Sequence, residues 1–206
     1  MPKPPPGPQM WDARYGAAEF AYGTAPNDFI AAQAGALPPG GPVLCLAAGE
    51  GRNAVFLAER GHPVTGVDLS AVGLAKAQRL AAERGVVVTT QVADLAEYYL
   101  GHRRWAGIVS VFCHLPPPLR VDVHRRVVEA LAPGGVLLLE AYRPAQLEHG
   151  TGGPPARPML YPLAEVQAEL TGLEWALARE VEREVHEGEF HNGLSAVIQL
   201  VGRKPG

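Results

Sequence analysis

A run of small residues follows a short apolar stretch early in the chain. The segment Val43–Asn53 reads VLCLAAGEGRN, in which Ala47, Gly49 and Gly51 leave the backbone open to close approach. Asp68 lies nineteen residues after Gly49, at the end of a second apolar run. Backbone amides at the start of a helix bind anionic groups, and a carboxylate at this distance accepts hydrogen bonds from ribose hydroxyls. The spacing therefore predicts a nucleotide-type cofactor site.

Composition limits the partners that suit this chain. Its 206 residues carry a net charge of −3, and only 19% of them are charged. Such a balance gives no reason to expect nucleic acid or an anionic membrane as a partner. No apolar run approaches the ~20 residues that span a bilayer, and the N-terminal stretch lacks the apolar core of a secretory signal. We therefore expect a cytoplasmic protein.

Proline is abundant at the start of the chain. Residues 1–10 predict an extended, mobile tail ahead of a single domain over residues 11–206. Cys45 and Cys113 each lie at the end of a predicted strand, where a cysteine is most often a buried small side chain. Two cysteines without clustered histidines do not make a zinc site, so no metal is expected.

Short apolar runs alternate with segments of helical character. Strands are predicted at 42–46, 63–67, 86–90, 108–112 and 136–141, and helices at 27–34, 52–60, 71–84, 119–131 and 162–170. This alternation is typical of a parallel sheet with helices on both faces. Two later strand-like runs, at 175–183 and 194–201, have so short a connection that they should be antiparallel. The sequence thus predicts an α/β protein with a doubly wound, mostly parallel seven-stranded sheet and a C-terminal antiparallel hairpin.

Five motifs give the chain a family resemblance. From Trp11 to Lys204 it resembles class I S-adenosylmethionine-dependent methyltransferases, and it looks closest to their tellurite-resistance (TehB-like) and thiopurine-type branch. The resemblance implies a Rossmann-like methyltransferase fold, S-adenosylmethionine as cofactor and a small-molecule substrate, with no prediction of the oligomeric state. The motifs are WDARY at 11–15, YGTAPN at 22–27, GEGRN at 49–53, FCHLP at 112–116 and LAPGG at 131–135.

The resemblance also assigns roles to single residues. It places the turn at 47–51 beneath the methionine part of the cofactor, Asp68 on the ribose hydroxyls and Asp94 on the adenine amino group. Helix capping is the alternative for both carboxylates. Arg52 is assigned to the cofactor carboxylate or the substrate, or is a solvated side chain. The implied cofactor-binding residues are Trp11, Arg14, Tyr15, Ala47, Gly49, Gly51, Arg52, Asn53, Asp68, Leu69, Asp94, Leu95, Phe112 and Cys113.

The first motif departs from the family pattern at two positions. Cys45 stands where an acidic residue is usual, and Ala47 stands where glycine is usual. The missing carboxylate would orient the turn or contact the amino-acid end of the cofactor. Alanine still allows close approach if its φ is negative. We therefore expect the cofactor to bind, with its affinity dependent on these two positions.

The acceptor is expected at the carboxyl ends of the strands, where ligands bind in open α/β sheets. His114 follows the fourth predicted strand and is a candidate catalytic base, with pocket lining as the equal alternative. Four further residues on this rim are candidates for orienting the substrate: Tyr142, Arg143, His186 and His191.

The expected reaction is in-line displacement of methyl from a sulfonium by a thiol, a metalloid oxyanion such as tellurite, or a small metabolite. An ionised acceptor needs no strong base, because proximity and alignment supply most of the acceleration. Two alternatives remain at this point: a non-catalytic, degenerate cofactor-binding scaffold and a nicotinamide-dependent oxidoreductase.

Overall fold

Helices and strands alternate along residues 7–206, the part of the chain that the computed structural model describes. The helices are α1 (Pro8–Tyr15), α2 (Asp28–Gln33), α3 (Arg52–Glu59), α4 (Ala71–Glu83), α5 (Pro117–Ala130) and α6 (Leu163–Glu169). The strands are β1 (Val43–Leu46), β2 (Val64–Asp68), β3 (Val88–Val92), β4 (Trp105–Val111), β5 (Leu131–Tyr142), β6 (Glu174–Glu187) and β7 (His191–Arg203). None of the helices within these residues is long and apolar enough to cross a membrane.

The seven strands form one sheet in the order β3-β2-β1-β4-β5-β7-β6. Strands β1 to β5 are parallel, whereas β7 runs antiparallel to both β5 and β6. This confirms the predicted doubly wound sheet with a terminal hairpin. The strand order reverses between β1 and β4, and Leu46 is in register with Val67 and Ser110. The carboxyl ends of these strands therefore open a crevice at the same level.

Apolar clusters cover both faces of the sheet because neighbouring residues of a strand point to opposite sides. In β1, Leu44 joins the cluster beneath α5 and α6, and Val43 and Cys45 join the cluster beneath α2, α3 and α4. Cys45 is 3% exposed, and burial raises its thiol pKa to about 12. The residue that replaces the family's acid is thus a neutral core side chain.

The first helix and the C-terminal hairpin have different bounds from those predicted. Helix α1 begins at Pro8, so residues 8–10 are helical and do not belong to the predicted tail. The remainder of that tail, residues 1–6, lies outside the described residues. The hairpin is longer than predicted, since β6 and β7 pair from Glu174 with Arg203 to Glu187 with His191. Its turn is at residues 188–190, and the tip reaches the crevice.

Candidate functional site

A cavity of about 250 Å³ lies at the carboxyl ends of β1, β2 and β4. Most of the predicted site residues line it: Trp11, Tyr15, Ala47, Gly49, Arg52, Asn53, Asp68, Leu69, Asp94, Leu95, Phe112, Cys113, His114 and His191. Five predicted residues do not, namely Arg14, Gly51, Tyr142, Arg143 and His186. Sequence reasoning missed several lining residues, among them Tyr22, Gly23, Glu50, Leu115, Leu119 and Met159.

The turn after β1 uses left-handed backbone conformations. Ala47 has a φ of 47°, and Gly49 and Gly51 have φ of 52° and 87°. The condition of a negative φ, under which alanine would allow close approach without strain, is therefore not met at Ala47. Its side chain is exposed at the cavity, so the methyl group meets no steric conflict with the core, and the cost is the conformational strain of a non-glycine residue.

Gly51 serves helix packing and does not line the cavity. A Cβ at this position would lie 2.5 Å from Cβ of Ala77 on α4. Gly51 is also the residue that precedes α3. Its glycine therefore allows α3 and α4 to approach each other, which corrects the predicted contact with the cofactor.

Asp68 connects the turn to the next strand. One carboxylate oxygen accepts a hydrogen bond from the Gly49 amide and the other from the Ser70 amide, both at 2.8 Å. Burial raises the pKa of Asp68, and these two backbone hydrogen bonds oppose that effect. Ser70, not Asp68, caps α4, since its hydroxyl accepts from Gly73 N. Each oxygen of Asp68 keeps a further lone pair for a ligand at the cavity.

Leu69, Ala93 and Leu95 form an apolar part of the wall beside Asp68. Asp94 stands at its edge, exposed to solvent, and its Oδ1 accepts from Ala96 N at 2.8 Å. The alternative helix at 95–100 is absent, because only a turn follows Asp94. An apolar slot with a carboxylate at each end suits an adenosine group.

The N-terminal segment forms one side of the cavity. Tyr15 is 5% exposed and packs closely against Gly49 and Gly73. A Cβ at either glycine would come within 3 Å of the Tyr15 ring or hydroxyl. Trp11 stacks on Tyr15 at 5.7 Å between centroids. Arg14 does not line the cavity and instead donates to the hydroxyl of Tyr22, which does, at 2.8 Å.

His114 is fixed by backbone groups on both ring nitrogens. Nδ1 lies 2.8 Å from the Met159 carbonyl oxygen, and since a carbonyl only accepts, this nitrogen carries the proton. Nε2 accepts from Tyr142 N at 3.2 Å. Burial lowers the pKa of His114 to about 4. A neutral ring with both nitrogens engaged favours pocket lining, the alternative given for His114, over a free general base.

Several aromatic side chains surround the side of the cavity where the methyl acceptor is expected. Phe112 has a φ of 50° and stacks on Tyr142 at 4.4 Å, and the His191 ring lies 4.6 Å from Phe112 and 4.5 Å from Tyr22. Tyr142 is fully buried behind Phe112. Arg143 points away to Glu180 and Glu182, and the exposed His186 contacts Asn192. The substrate roles predicted for Tyr142 and Arg143 are therefore not supported, while His191 lines the cavity.

A buried ion pair joins the start of α3 to the hairpin tip. Arg52 Nη2 lies 2.5 Å from Glu187 Oε2, and Asn27 Nδ2 donates to Glu187 at 2.8 Å and to Glu140 at 2.7 Å. Burial alone would raise the pKa of Glu187, but His191 and Arg52 bring it down to about 2. Sequence reasoning missed Glu187 because its partner lies 135 positions away, with no local pattern to link them.

Curated relatives of the chain are methyltransferases. Residues 43–135 match the family model described as "Methyltransferase domain". A thiopurine S-methyltransferase from Bordetella petrii is 30% identical over 172 residues, which cover 82% of this chain and 75% of the relative. A 2-heptyl-1-hydroxyquinolin-4(1H)-one methyltransferase from Mycobacteroides abscessus is 33% identical over 117 residues, which cover 55% of this chain and only 52% of that relative.

Solved structures show the same fold. TehB from Haemophilus influenzae superposes with a TM-score of 0.70 and 19% identity, covering 96% of this chain and 66% of TehB. The protein described under "Conversion of a Disulfide Bond into a Thioacetal Group during Echinomycin Biosynthesis" superposes with a TM-score of 0.74 and 21% identity, covering 96% and 91%. Fold, crevice and relatives together define a class I S-adenosylmethionine-dependent methyltransferase. Within that class, the chain belongs to the branch of the thiopurine methyltransferases and TehB.

Proposed function

We propose that this methyltransferase acts on a flat heteroaromatic small molecule and methylates its ionised sulfur or oxygen. The observation that carries the proposal is the acceptor side of the cavity. Phe112 and His191 present ring faces or edges there, and the neighbouring His114 has no nitrogen free to take a proton. Such a wall favours an apolar ring whose reactive atom is already ionised in water.

The cofactor has a matching place in the same cavity. Asp68 is proposed to bind the ribose hydroxyls through the lone pairs that Gly49 and Ser70 leave free. Leu69 and Leu95 are proposed to enclose the adenine, with Asp94 near its amino group. Trp11 and Tyr15 cover the turn at 47–51, where the methionine part is proposed to lie. Arg52 is committed to Glu187 through Nη2, but its Nη1 is buried without a hydrogen-bond partner and remains available to a ligand.

The two curated relatives support the acceptor class. Their names describe a purine that is methylated on sulfur and a quinolinone that carries an N-hydroxy group. Both are flat ring systems with an acidic sulfur or oxygen. A metalloid oxyanion such as tellurite has no apolar surface, so the aromatic wall would contribute little to its binding.

The mechanism depends on positioning. Bound S-adenosylmethionine supplies an electrophilic methyl group on a sulfonium. Phe112 and His191 hold the acceptor ring, Tyr15 and Trp11 exclude water from above, and the neutral His114 keeps its part of the wall free of charge. Proximity and alignment can supply up to about 7–11 kcal/mol of barrier reduction. Cys113 is not a nucleophile here, because burial raises the pKa of its thiol to about 12.

An acceptor panel tests the proposal. The purified protein is mixed with S-adenosylmethionine and, separately, 4-nitrothiophenol, a 1-hydroxyquinolin-4-one, 2-mercaptoethanol or tellurite, and the demethylated cofactor is quantified. We expect turnover with the two aromatic acceptors at a kcat/KM at least tenfold above that with 2-mercaptoethanol. Turnover confined to tellurite or to the aliphatic thiol would contradict the proposal. Cofactor binding without turnover of any acceptor would instead favour the non-catalytic scaffold.

We also propose a cytoplasmic location. Its support is that Cys45 and Cys113 are both free and buried, as is usual in a reducing compartment.

A further inference from the structure

Lys76 is a buried lysine on α4 whose ammonium group contacts the N-terminal segment. Its Nζ donates to the carbonyl oxygens of Tyr15, Ala17 and Glu19 at 3.3, 3.0 and 2.6 Å. It also lies 4.9 Å from the ring centroid of Phe20. The side chain is only 7% exposed, so these contacts replace nearly all of its hydration.

The same ammonium forms an ion pair with Glu50, in the turn that follows β1. Glu50 is 5% exposed and lines the cavity, and its second oxygen accepts from Tyr22 N at 3.4 Å. Lys76 therefore touches the turn proposed to hold the cofactor and the segment that covers it.

The segment that Lys76 holds has little structure of its own. Residues 16–27 form neither helix nor strand. Its backbone hydrogen bonds are Gly16 N to Ala13 O, Gly23 N to Phe20 O, Glu189 N of the hairpin to Ala21 O, and Ala31 N of α2 to Asn27 O. The carbonyl oxygens of Tyr15, Ala17 and Glu19 accept hydrogen bonds from Lys76. This stretch is largely exposed, with Ala21 and Asn27 as its buried residues, and with so few backbone hydrogen bonds it depends on its side-chain contacts to stay in place.

We propose that Lys76 is a positioning residue that fastens residues 15–22 over the turn at 47–51, so that order in this segment and cofactor binding are coupled through Glu50. The inference rests on the cofactor site proposed above. Tyr15 provides the geometric link, since it lies between Gly49 of the turn and Gly73, three residues before Lys76 on the same helix. When this segment is loosened, the cofactor loses its cover and Glu50 loses its counter-charge.

The chain offers a matched control in Lys204. Its Nζ also donates to three carbonyl oxygens, those of Val128, Glu129 and Leu131, at 2.7, 3.4 and 2.8 Å. These lie at the end of α5 and the start of β5, and none of the four residues lines the cavity. Lys204→Met removes a comparable set of hydrogen bonds without touching the N-terminal segment.

The test compares Lys76→Met, Lys204→Met and the unaltered protein. S-adenosylhomocysteine affinity is measured by calorimetric titration, and amide hydrogen exchange is followed in peptides covering residues 12–27, with and without this ligand. In the unaltered protein and in Lys204→Met we expect the ligand to slow exchange across 12–27. In Lys76→Met we expect fast exchange with or without the ligand and a Kd raised roughly tenfold or more.

Unchanged exchange over 12–27 and unchanged affinity in Lys76→Met would overturn the proposal, as would an equal effect in Lys204→Met. If Lys76→Met does not unfold cooperatively, Glu50→Gln takes its place, because it removes the counter-charge and keeps the shape. It is expected to speed exchange over 12–27 in the same direction. If the unaltered protein does not bind S-adenosylhomocysteine, the cofactor site proposed above fails and so does the coupling, whereas exchange in the ligand-free variants still shows whether Lys76 fastens the segment.

Discussion

The Arg52 guanidinium lies 2.5 Å from the Glu187 carboxylate and links the first residue of α3 to the last residue of β6. Their side chains are 10% and 5% exposed, so the pair is nearly dry. Asn27 and Arg183 join Glu187 to Glu140 of β5, which extends this contact into a buried polar network. This network holds the hairpin tip against the cavity. His191, the first residue of β7 after the tip, lines that cavity.

Removal of Glu187 should destabilise the protein strongly. In Glu187→Ala the Arg52 charge stays buried without its partner, a change that typically costs about 3–5 kcal/mol of unfolding free energy. Guanidinium unfolding of the variant against the unaltered protein measures the loss. The control is Glu184→Ala on the same strand, an exposed glutamate for which we expect a change within about 0.5 kcal/mol. Similar losses in both variants would show that the Arg52 pair is energetically unimportant.

Glu187 also predicts an acid-sensitive fold. Its pKa is about 2 in the folded protein against 4.5 for an ordinary glutamate, so the folded state favours the charged form. Its contribution of about 3 kcal/mol is therefore complete above pH 4.5 and is lost as pH falls towards 2. We expect the stability difference between the unaltered protein and Glu187→Gln to shrink over this range when unfolding is measured from pH 6 to 2. A constant difference would contradict the assignment.

Sequence patterns predicted the sheet because each strand is marked by residues that are neighbours in the chain. Each strand of the parallel part is an apolar run bounded by small or capping residues, and Ser70 at the start of α4 is an example. The length of the hairpin was underestimated, since β6 is a charged edge strand with weak apolar alternation over Glu180–Glu187. The strand β5 begins at Leu131, five residues before the predicted start at 136, because its pairing with β4 continues across a register shift between Leu131 and Val136.

The site was predictable only where a motif is continuous in the chain. The turn residues and Asp68 lie within one βαβ unit, so spacing alone brought them together. Glu50 with Lys76 and Arg52 with Glu187 are buried partners that depend on how distant segments pack. His114 is correctly located by its motif, but its hydrogen bonds to the backbone of Met159 and Tyr142 decide its chemistry, and no sequence pattern reports them.

Ala47→Gly should stabilise the protein. The φ of 47° strains alanine but not glycine, and relief of that strain is worth about 0.5–1 kcal/mol after the entropy of the unfolded chain is counted. The loss of the methyl group at the cavity is also expected to lower the Kd for S-adenosylmethionine. Urea unfolding and calorimetric titration measure the two effects. Ala48→Gly is the control, because Ala48 has no positive φ, and it should destabilise the protein instead. Equal effects at the two positions would contradict the strain argument.

Asp68→Asn should weaken cofactor binding. An amide has one oxygen, so its NH₂ group must face either the Gly49 or the Ser70 amide, and the charged acceptor for the ribose is lost. Loss of charge-assisted hydrogen bonds predicts a Kd about ten- to hundredfold higher. Titration with S-adenosylhomocysteine measures it, with thermal unfolding as the check on folding. The exposed Asp94 is the comparison, and Asp94→Asn should have the smaller effect. An unchanged Kd for Asp68→Asn would remove Asp68 from the cofactor site.

His114→Gln tests whether positioning suffices for the reaction. Glutamine can both donate and accept, so it can keep a contact with Met159 or Tyr142, and we expect kcat to fall less than tenfold. Because burial lowers the pKa of His114 to about 4, the histidine is neutral above that pH and should leave no inflection near 6.5 in the rate profile. The rate should instead rise with pH through the pKa of the acceptor, so that two aromatic thiols of different acidity give two different midpoints. If the midpoint is the same for both thiols and disappears in His114→Gln, the histidine is a general base after all and the positioning mechanism is wrong.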